Sequence, residues 1–283
     1  MRTDVSSFYE SIDRSKLIAK LDQDNLLTFS SKKFIRQILN EYGTLSGSQK
    51  GVPRGIGISA YLGEIYFREI DKNIKSLPGL VLYCRYVDDI IAVFSQSHEG
   101  TQISSYSALI AQELLMYGLQ NNPAKTKEFT IGAQNLVKLE YLGYRFVLRK
   151  GKLGIWPSAA KIKKYKARID VAFKEYHAQS SLHSRKSFRN LVARMTFLTG
   201  NIRLWNSKST ALTGVFYNNP IATEISCFTL LDKRLKMLAK NTLRPALQKR
   251  LKGFTFLKGF QERSFHSFNT KELHSIVRAW KHE

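Results

Sequence analysis

Cysteine is almost missing from this 283-residue chain, with Cys84 and Cys227 the only two. That excludes a disulfide framework or a cysteine-based zinc site and fits a reducing compartment. Long apolar runs are missing too. No stretch of about 18 apolar residues occurs and the N-terminal residues carry no signal-type apolar core, so the expectation is a cytoplasmic protein without a membrane partner. Acidic residues are scarce, 22 against 45 Lys and Arg, and the formal net charge is +23. A polyanion is the partner that rewards such an excess. Apolar content is not scarce. Hydrophobic residues make up 43% of the chain, enough for one large or two small cored domains and too many for global disorder.

The charge is unevenly spread. Residues 1–150 hold 19 basic and 15 acidic side chains, giving +4, whereas residues 151–283 hold 26 and 7, giving +19. The rear half reads as an electrostatic grip, and the front half, where the acids gather, as something else.

In the front half the chemistry centres on Leu82-Tyr83-Cys84-Arg85-Tyr86-Val87-Asp88-Asp89-Ile90-Ile91-Ala92-Val93-Phe94. Two apolar, β-branched and aromatic runs flank adjacent carboxylates, the composition of a half-buried hairpin. A tight bend can bring both acids to one exposed edge, where a hard divalent cation such as magnesium would relieve their repulsion. Asp is also simply a good turn former. Upstream, Asp4 lies at the start of an apparent core strand. Asp13 opens a helix to about Leu21, and Ser31 opens another with Phe34, Ile35, Ile38, Leu39 and Tyr42 on one face, ended by Gly43. Gly51-Val52-Pro53-Arg54-Gly55-Ile56-Gly57-Ile58-Ser59 is a loop whose glycines permit close backbone approach to a ligand. A helix from Ser59 to about Lys75 follows, with Leu62, Ile65, Tyr66, Ile70 and Ile74 as its stripe.

A further amphipathic helix spans 103–117, with Ile103, Tyr106, Ile110, Leu114 and Tyr117 inward. Asn121 to Lys127 then forms a loop leading to a strand around Phe129, and Leu139 to Val147 is a hairpin arm. This order of elements predicts an α+β layer, one antiparallel sheet covered by helices on one side. Beyond Pro157 the periodicity is helical. Ile162, Tyr165, Ile169, Phe173 and Tyr176 mark one helix and Phe188, Leu191, Val192, Met195 and Leu198 a second, both with basic outer faces suited to nucleic-acid backbone. Asn269-x-x-Glu272 announces the last helix as a capping box. Between about 206 and 268 little is legible, and the segments around Phe254 and Phe260 read as short strands or turns.

One acid on a first strand, two on a later hairpin and a glycine loop between them suggest a two-metal site, which serves polymerases and nucleases alike. The ordered set of motifs resembles the reverse transcriptases. Asp4-Val5-Ser6-Ser7-Phe8-Tyr9 resembles the first palm motif, Gly51 to Ser59 the second, and Tyr86-Val87-Asp88-Asp89 the catalytic hairpin. Asn122-Pro123-Ala124-Lys125-Thr126-Lys127 resembles the following loop, and Tyr141-Leu142-Gly143-Tyr144 the primer-grip hairpin. Within that family the chain is most similar to the bacterial branch of retron, group II intron and phage-defence enzymes, and the wording Ser59-Ala60-Tyr61-Leu62-Gly63-Glu64 leans toward the defence-associated and abortive-infection types.

The resemblance implies a palm over 1–150, a helical thumb over 151–205 and a basic C-terminal region over 206–283. It implies that Asp4, Asp88 and Asp89 hold two Mg2+ ions, with Mn2+ as a substitute. Lys125 would protonate the leaving pyrophosphate, although it also reads as one more exposed lysine. Tyr9 would exclude a 2′-hydroxyl, or serve only as a core aromatic. Arg54, standing where many relatives carry Gln, would lie with Gly55 and Ser59 near the incoming nucleotide, and Tyr141 to Tyr144 would steady the primer end. An RNA template, a DNA or RNA primer and dNTPs are the implied partners. A fingers region normally precedes the first motif, so a missing N-terminal segment or a second polypeptide is expected to supply it. The leading expectation is RNA-directed DNA synthesis in antiphage defence or a retroelement. Template-independent or protein-primed synthesis by the same palm, and a non-catalytic RNA-binding subunit, are the alternatives.

Overall fold

The computed structural model describes residues 1–23, 25, 27–95, 106–132, 136–205 and 210–280, without the side chains of 180–184, 205 and 210. The chain forms two compact units, Met1–Thr130 and Ile131–Glu283.

In the first unit a three-stranded sheet has the order β1-β3-β2, built from β1 (Arg2–Asp4), β2 (Leu80–Tyr86) and β3 (Asp89–Phe94). Both pairings are antiparallel, with Asp4 opposite Asp89 and Tyr86 opposite Asp89. Alternation along β3 turns Ile90 and Ala92 into the core and Asp89 and Ile91 away from it. The core is completed by α1 (Phe8–Ser11), α2 (Arg14–Gln23), α3 (Phe29–Ser46), α4 (Gly57–Lys75) and α5 (Tyr106–Met116). The predicted stripe of α4 is fully buried, each Leu or Ile contributing about 1.5–3 kcal/mol. Asp13 caps α2 by accepting the Lys16 N–H at 3.1 Å. In α5, Ile110 and Leu114 are buried as expected, and Ile103 lies outside the described residues.

Three expectations for this unit are corrected. Helix α3 starts after a Thr28 cap and runs past Gly43 to a left-handed cap at Gly47, φ 63°. Gly43 is small for another reason, since a Cβ there would meet the Arg14 guanidinium at 2.9 Å. Phe34, placed on the inner face by periodicity, is 61% exposed. No strand forms around Phe129 among the described residues. Instead the ends of the preceding loop meet β1 and the residue after it, through isolated bridges Lys127–Arg2 and Asn121–Val5.

The second unit has a separate antiparallel sheet, β4 (Val137–Tyr141), β5 (Tyr144–Arg149) and β6 (Lys152–Pro157), in that order. The expected single sheet is therefore two. Helix α6 (Ala159–Thr199) doubles back on itself. Arg194 pairs with Glu175 at 2.6 Å, Phe188 meets the Tyr176 ring edge-on, and the Ser187 hydroxyl donates to the Gln179 carbonyl. A straight helix would hold positions 19 residues apart about 28 Å from each other. The two helical periodicities in the sequence are thus two arms packed together. A third sheet joins β7 (Asn201–Trp205) antiparallel to β8 (Thr210–Gly214) and parallel to β9 (Phe265–His266). Around it pack α7 (Ser226–Thr242), α8 (Pro245–Leu251), α9 (Phe256–Glu262) and α10 (Thr270–Arg278). The residues after Phe254 form helix α9 rather than a strand, whereas α10 carries the anticipated Asn269–Glu272 capping box. No helix among the described residues is long and apolar enough to cross a membrane.

Candidate active site

The site in the first unit is assembled by the pairing of β1 with β3 and by the loop that follows α5. The β2–β3 hairpin closes through the two-residue loop Val87-Asp88. Val87 has φ 58°, a left-handed conformation that strains a β-branched residue at a position where hairpins prefer glycine. Its carbonyl accepts from the Arg85 Nη1 at 2.9 Å. Arg85 is itself clamped by Asp71 and Glu64, each at 2.7 Å, and lies over the Phe67 ring at 4.3 Å. Burial alone would lower the guanidinium's pKa, but these carboxylates hold it well above its ordinary value. The Tyr83 hydroxyl, raised by burial and then by Asp71, donates to the same Asp71 carboxylate at 2.6 Å. This network braces the strained turn that presents Asp88.

Lys125 is delivered to Asp4 by backbone ladders. Residues Arg2 and Lys127 exchange N–H to carbonyl bonds of 2.8 Å, the Asn122 N–H donates to the Asp4 carbonyl at 2.7 Å, and the Lys125 N–H turns back to the Asn122 carbonyl at 3.1 Å. Thr3 and Thr126 hydroxyls meet at 2.7 Å and lock the register. The outcome is a Lys125 Nζ to Asp4 Oδ2 contact of 2.7 Å, which raises the lysine's pKa. Asp4 is only 6% exposed. Across the strand, Asp89 is held by Arg2 Nη2 at 2.8 Å. Facing carboxylates on neighbouring strands repel, and each here has its own cation.

Asp88 differs. Its carboxyl is pushed above the ordinary value by burial first, then by the charges of Asp4 and Asp89. The structure thus brings Asp4, Asp88 and Lys125 together and turns Asp89 toward Arg2. Among the described residues no group of three or more His, Cys, Asp or Glu is poised around one metal position, so the anticipated three-carboxylate set is not gathered. The Asp4–Asp88 pair still fits a hard divalent ion, because its oxygens are the ligands magnesium favours and a cation would offset the crowding that raises Asp88.

The remaining predicted residues divide. Tyr9, on α1, is half-buried with its pKa raised by burial and by the Asp88 charge, so it stands within the field of the hairpin. Gly63 makes room for it, since a Cβ there would lie 3.3 Å from the Tyr9 ring. Arg54 is exposed and gripped by both oxygens of the Glu10 carboxylate, through Nε at 2.5 Å and Nη2 at 2.6 Å. Gly55 has φ 84° in open surroundings. Ser59, expected near substrate, is instead buried, and its hydroxyl donates to the Pro53 carbonyl, closing the glycine loop. Tyr141 to Tyr144 belong to the second unit, where Leu142 and Gly143 form the β4–β5 turn with φ 47° and 76°. The Tyr144 ring is buried beneath the Lys161 ammonium at 4.0 Å, while Leu142 points outward. Sequence reasoning missed Arg2, Glu10, Glu64, Asp71 and Arg85. Their only signal was opposite charge at large separations, which no local periodicity reveals.

A family model described as reverse transcriptase (RNA-dependent DNA polymerase) matches residues 1–146. No curated protein matches the chain.

Proposed function

The chain belongs to the reverse transcriptase family, and from that premise we propose that it synthesises DNA on an RNA template at the Asp4–Asp88 site, in bacterial antiphage defence or a retroelement. The observation that carries the reading is the crowding of Asp88 by Asp4 with Lys125 bound at the same carboxylate. Magnesium, which this family generally uses, supplies when bound a Lewis acid for the attacking hydroxyl and the leaving phosphate. Asp4 and Asp88 would hold it, and Asp89 with Arg2 would keep the neighbouring strand in register. Lys125, fully protonated beside Asp4, is the proton source for the departing pyrophosphate. Tyr9 borders the sugar of the incoming dNTP, and the pairing of Arg54 with Glu10 shapes the approach of the template base. The turn at Leu142-Gly143 steadies a primer end, and the helical arms after Pro157 grip nucleic-acid backbone.

The test is magnesium-dependent dNTP incorporation on a primed RNA template. Asp88→Ala is expected to lower the rate by at least about a hundredfold, because it removes one of two acids at the reacting centre. A rate equal to wild type in that variant would sink the assignment. The +19 charge of residues 151–283 supports a second reading, an RNA-binding subunit that works with a partner. On that reading salt-sensitive RNA binding persists while wild-type incorporation is absent.

A further inference from the structure

We propose that the cavity between the two arms of α6 and helix α10 is a binding site for a phosphate group, separate from the polymerase site. The cavity has a volume of about 640 Å3 and is lined by Glu175, Lys186, Asn190, Arg194, Ser275 and Arg278, among others. Three cations therefore face a single carboxylate. Arg194 is the anchor, its side chain only 7% exposed. Its Nη2 lies 2.6 Å from Glu175 Oε2, and its Nε is a buried donor with no hydrogen-bond partner among the described residues.

A buried guanidinium is stable only when its charge and donors are met, and one carboxylate satisfies a fraction of its five N–H groups. Lys186 and Arg278 bring two more positive charges to the same walls, and among the described residues no second acid lines the cavity. The excess repels any cation. An occupant must therefore be anionic and carry several acceptor oxygens. Phosphate meets both demands, and Arg binds it through paired parallel hydrogen bonds. Asn190 and Ser275 add neutral groups able to contact an attached sugar or base. The volume exceeds what a bare phosphate needs and suits a ligand of mononucleotide size. The phosphate can come from a free mononucleotide or from the end of a nucleic-acid strand.

The full chain would be titrated with inorganic phosphate and with AMP by calorimetry. Separately, 5′-phosphorylated and 5′-hydroxyl RNA oligonucleotides of one sequence would be compared by fluorescence anisotropy. Saturable binding is expected, weakened at least about tenfold by the pair Lys186→Ser and Arg278→Ser, since each lost contact is a charge-assisted hydrogen bond. Both side chains are exposed, so this variant keeps its fold. The pair Lys252→Ser and Lys271→Ser removes the same charge from exposed positions outside the cavity and is expected to bind as wild type. Binding should also survive Asp88→Ala, which separates this site from the polymerase reading. Preference for the 5′-phosphorylated strand would assign a nucleic-acid end as the source, and AMP binding without that preference a free nucleotide. Absence of saturable binding in every arm would overturn the proposal. So would equal weakening by the two double variants.

Discussion

At the scale of single residues, the Lys125–Asp4 contact sets the charge balance beside Asp88. Lys125 holds, at 2.7 Å, a carboxylate that is otherwise almost wholly buried. Removing it in Lys125→Met leaves Asp4 and Asp88 repelling each other. We expect that variant to lose about 1 kcal/mol of stability in the absence of divalent ions, the scale for a partly exposed pair. Magnesium should restore it, because the ion would offset the same repulsion. Melting temperatures of both proteins with EDTA and with magnesium check this. Equal losses under both conditions would mean that Lys125 does no more than pack. Several of these residues were legible in the sequence because their motif order is local. Asp4, Asp88 and Lys125 were named and converge. Asp89 was named with them and faces Asp4 across the strands, but it pairs with Arg2, a partner 87 positions away that pattern reading cannot reach. Ser59 was misread for a related reason. The motif resemblance put its hydroxyl near the nucleotide, and only the folded loop reveals that this hydroxyl donates a hydrogen bond to the Pro53 carbonyl.

At the scale of elements, legibility follows length and periodicity. Helix α4 and the capped α10 were readable because an apolar stripe or a reciprocal cap lies within a few turns. Helix α9 was not, because seven residues carry too little period and its start depends on a distant side chain. Asp232, buried on α7, accepts the N–H groups of Phe256 at 2.6 Å and Leu257 at 3.3 Å, the first turn of α9. Asp232→Ala should cost about 1–3 kcal/mol by leaving those donors unsatisfied, measurable by denaturant unfolding. Burial raises the Asp232 carboxyl above its ordinary 3.8, against the pull of these bonds. Its contribution to stability is therefore fullest below that unfolded value and declines as pH rises through the raised folded value. Asp232→Asn, which keeps an acceptor and cannot titrate, should flatten that part of the stability curve.

At the scale of the whole molecule, each compact unit has its own hydrophobic core. Unfolding followed by calorimetry should therefore depart from a single two-state transition, with the measured enthalpy exceeding the van't Hoff value. The two substitutions above provide labels for the transitions. Lys125→Met should move only the one belonging to Met1–Thr130, and Asp232→Ala only the other. A single transition shifted equally by both would show the units to be one cooperative body. The charge asymmetry was readable from composition alone, whereas the unit boundary was not, because the β4–β5 hairpin reads like another strand pair of the first sheet.

The pairing of β1 with distant partners has a kinetic side. Residues 2–4 find Asp89 to Ile91, and then the loop ending at Lys127, across separations of roughly ninety and one hundred and twenty positions. Such closures are slow, since their entropy is lost before any contact compensates. During synthesis Asp4 cannot meet the β2–β3 hairpin before β3 has left the ribosome, nor Lys125 before the loop after α5 has, so a nascent chain holds helices α2 to α4 well before Asp4, Asp88 and Lys125 are together.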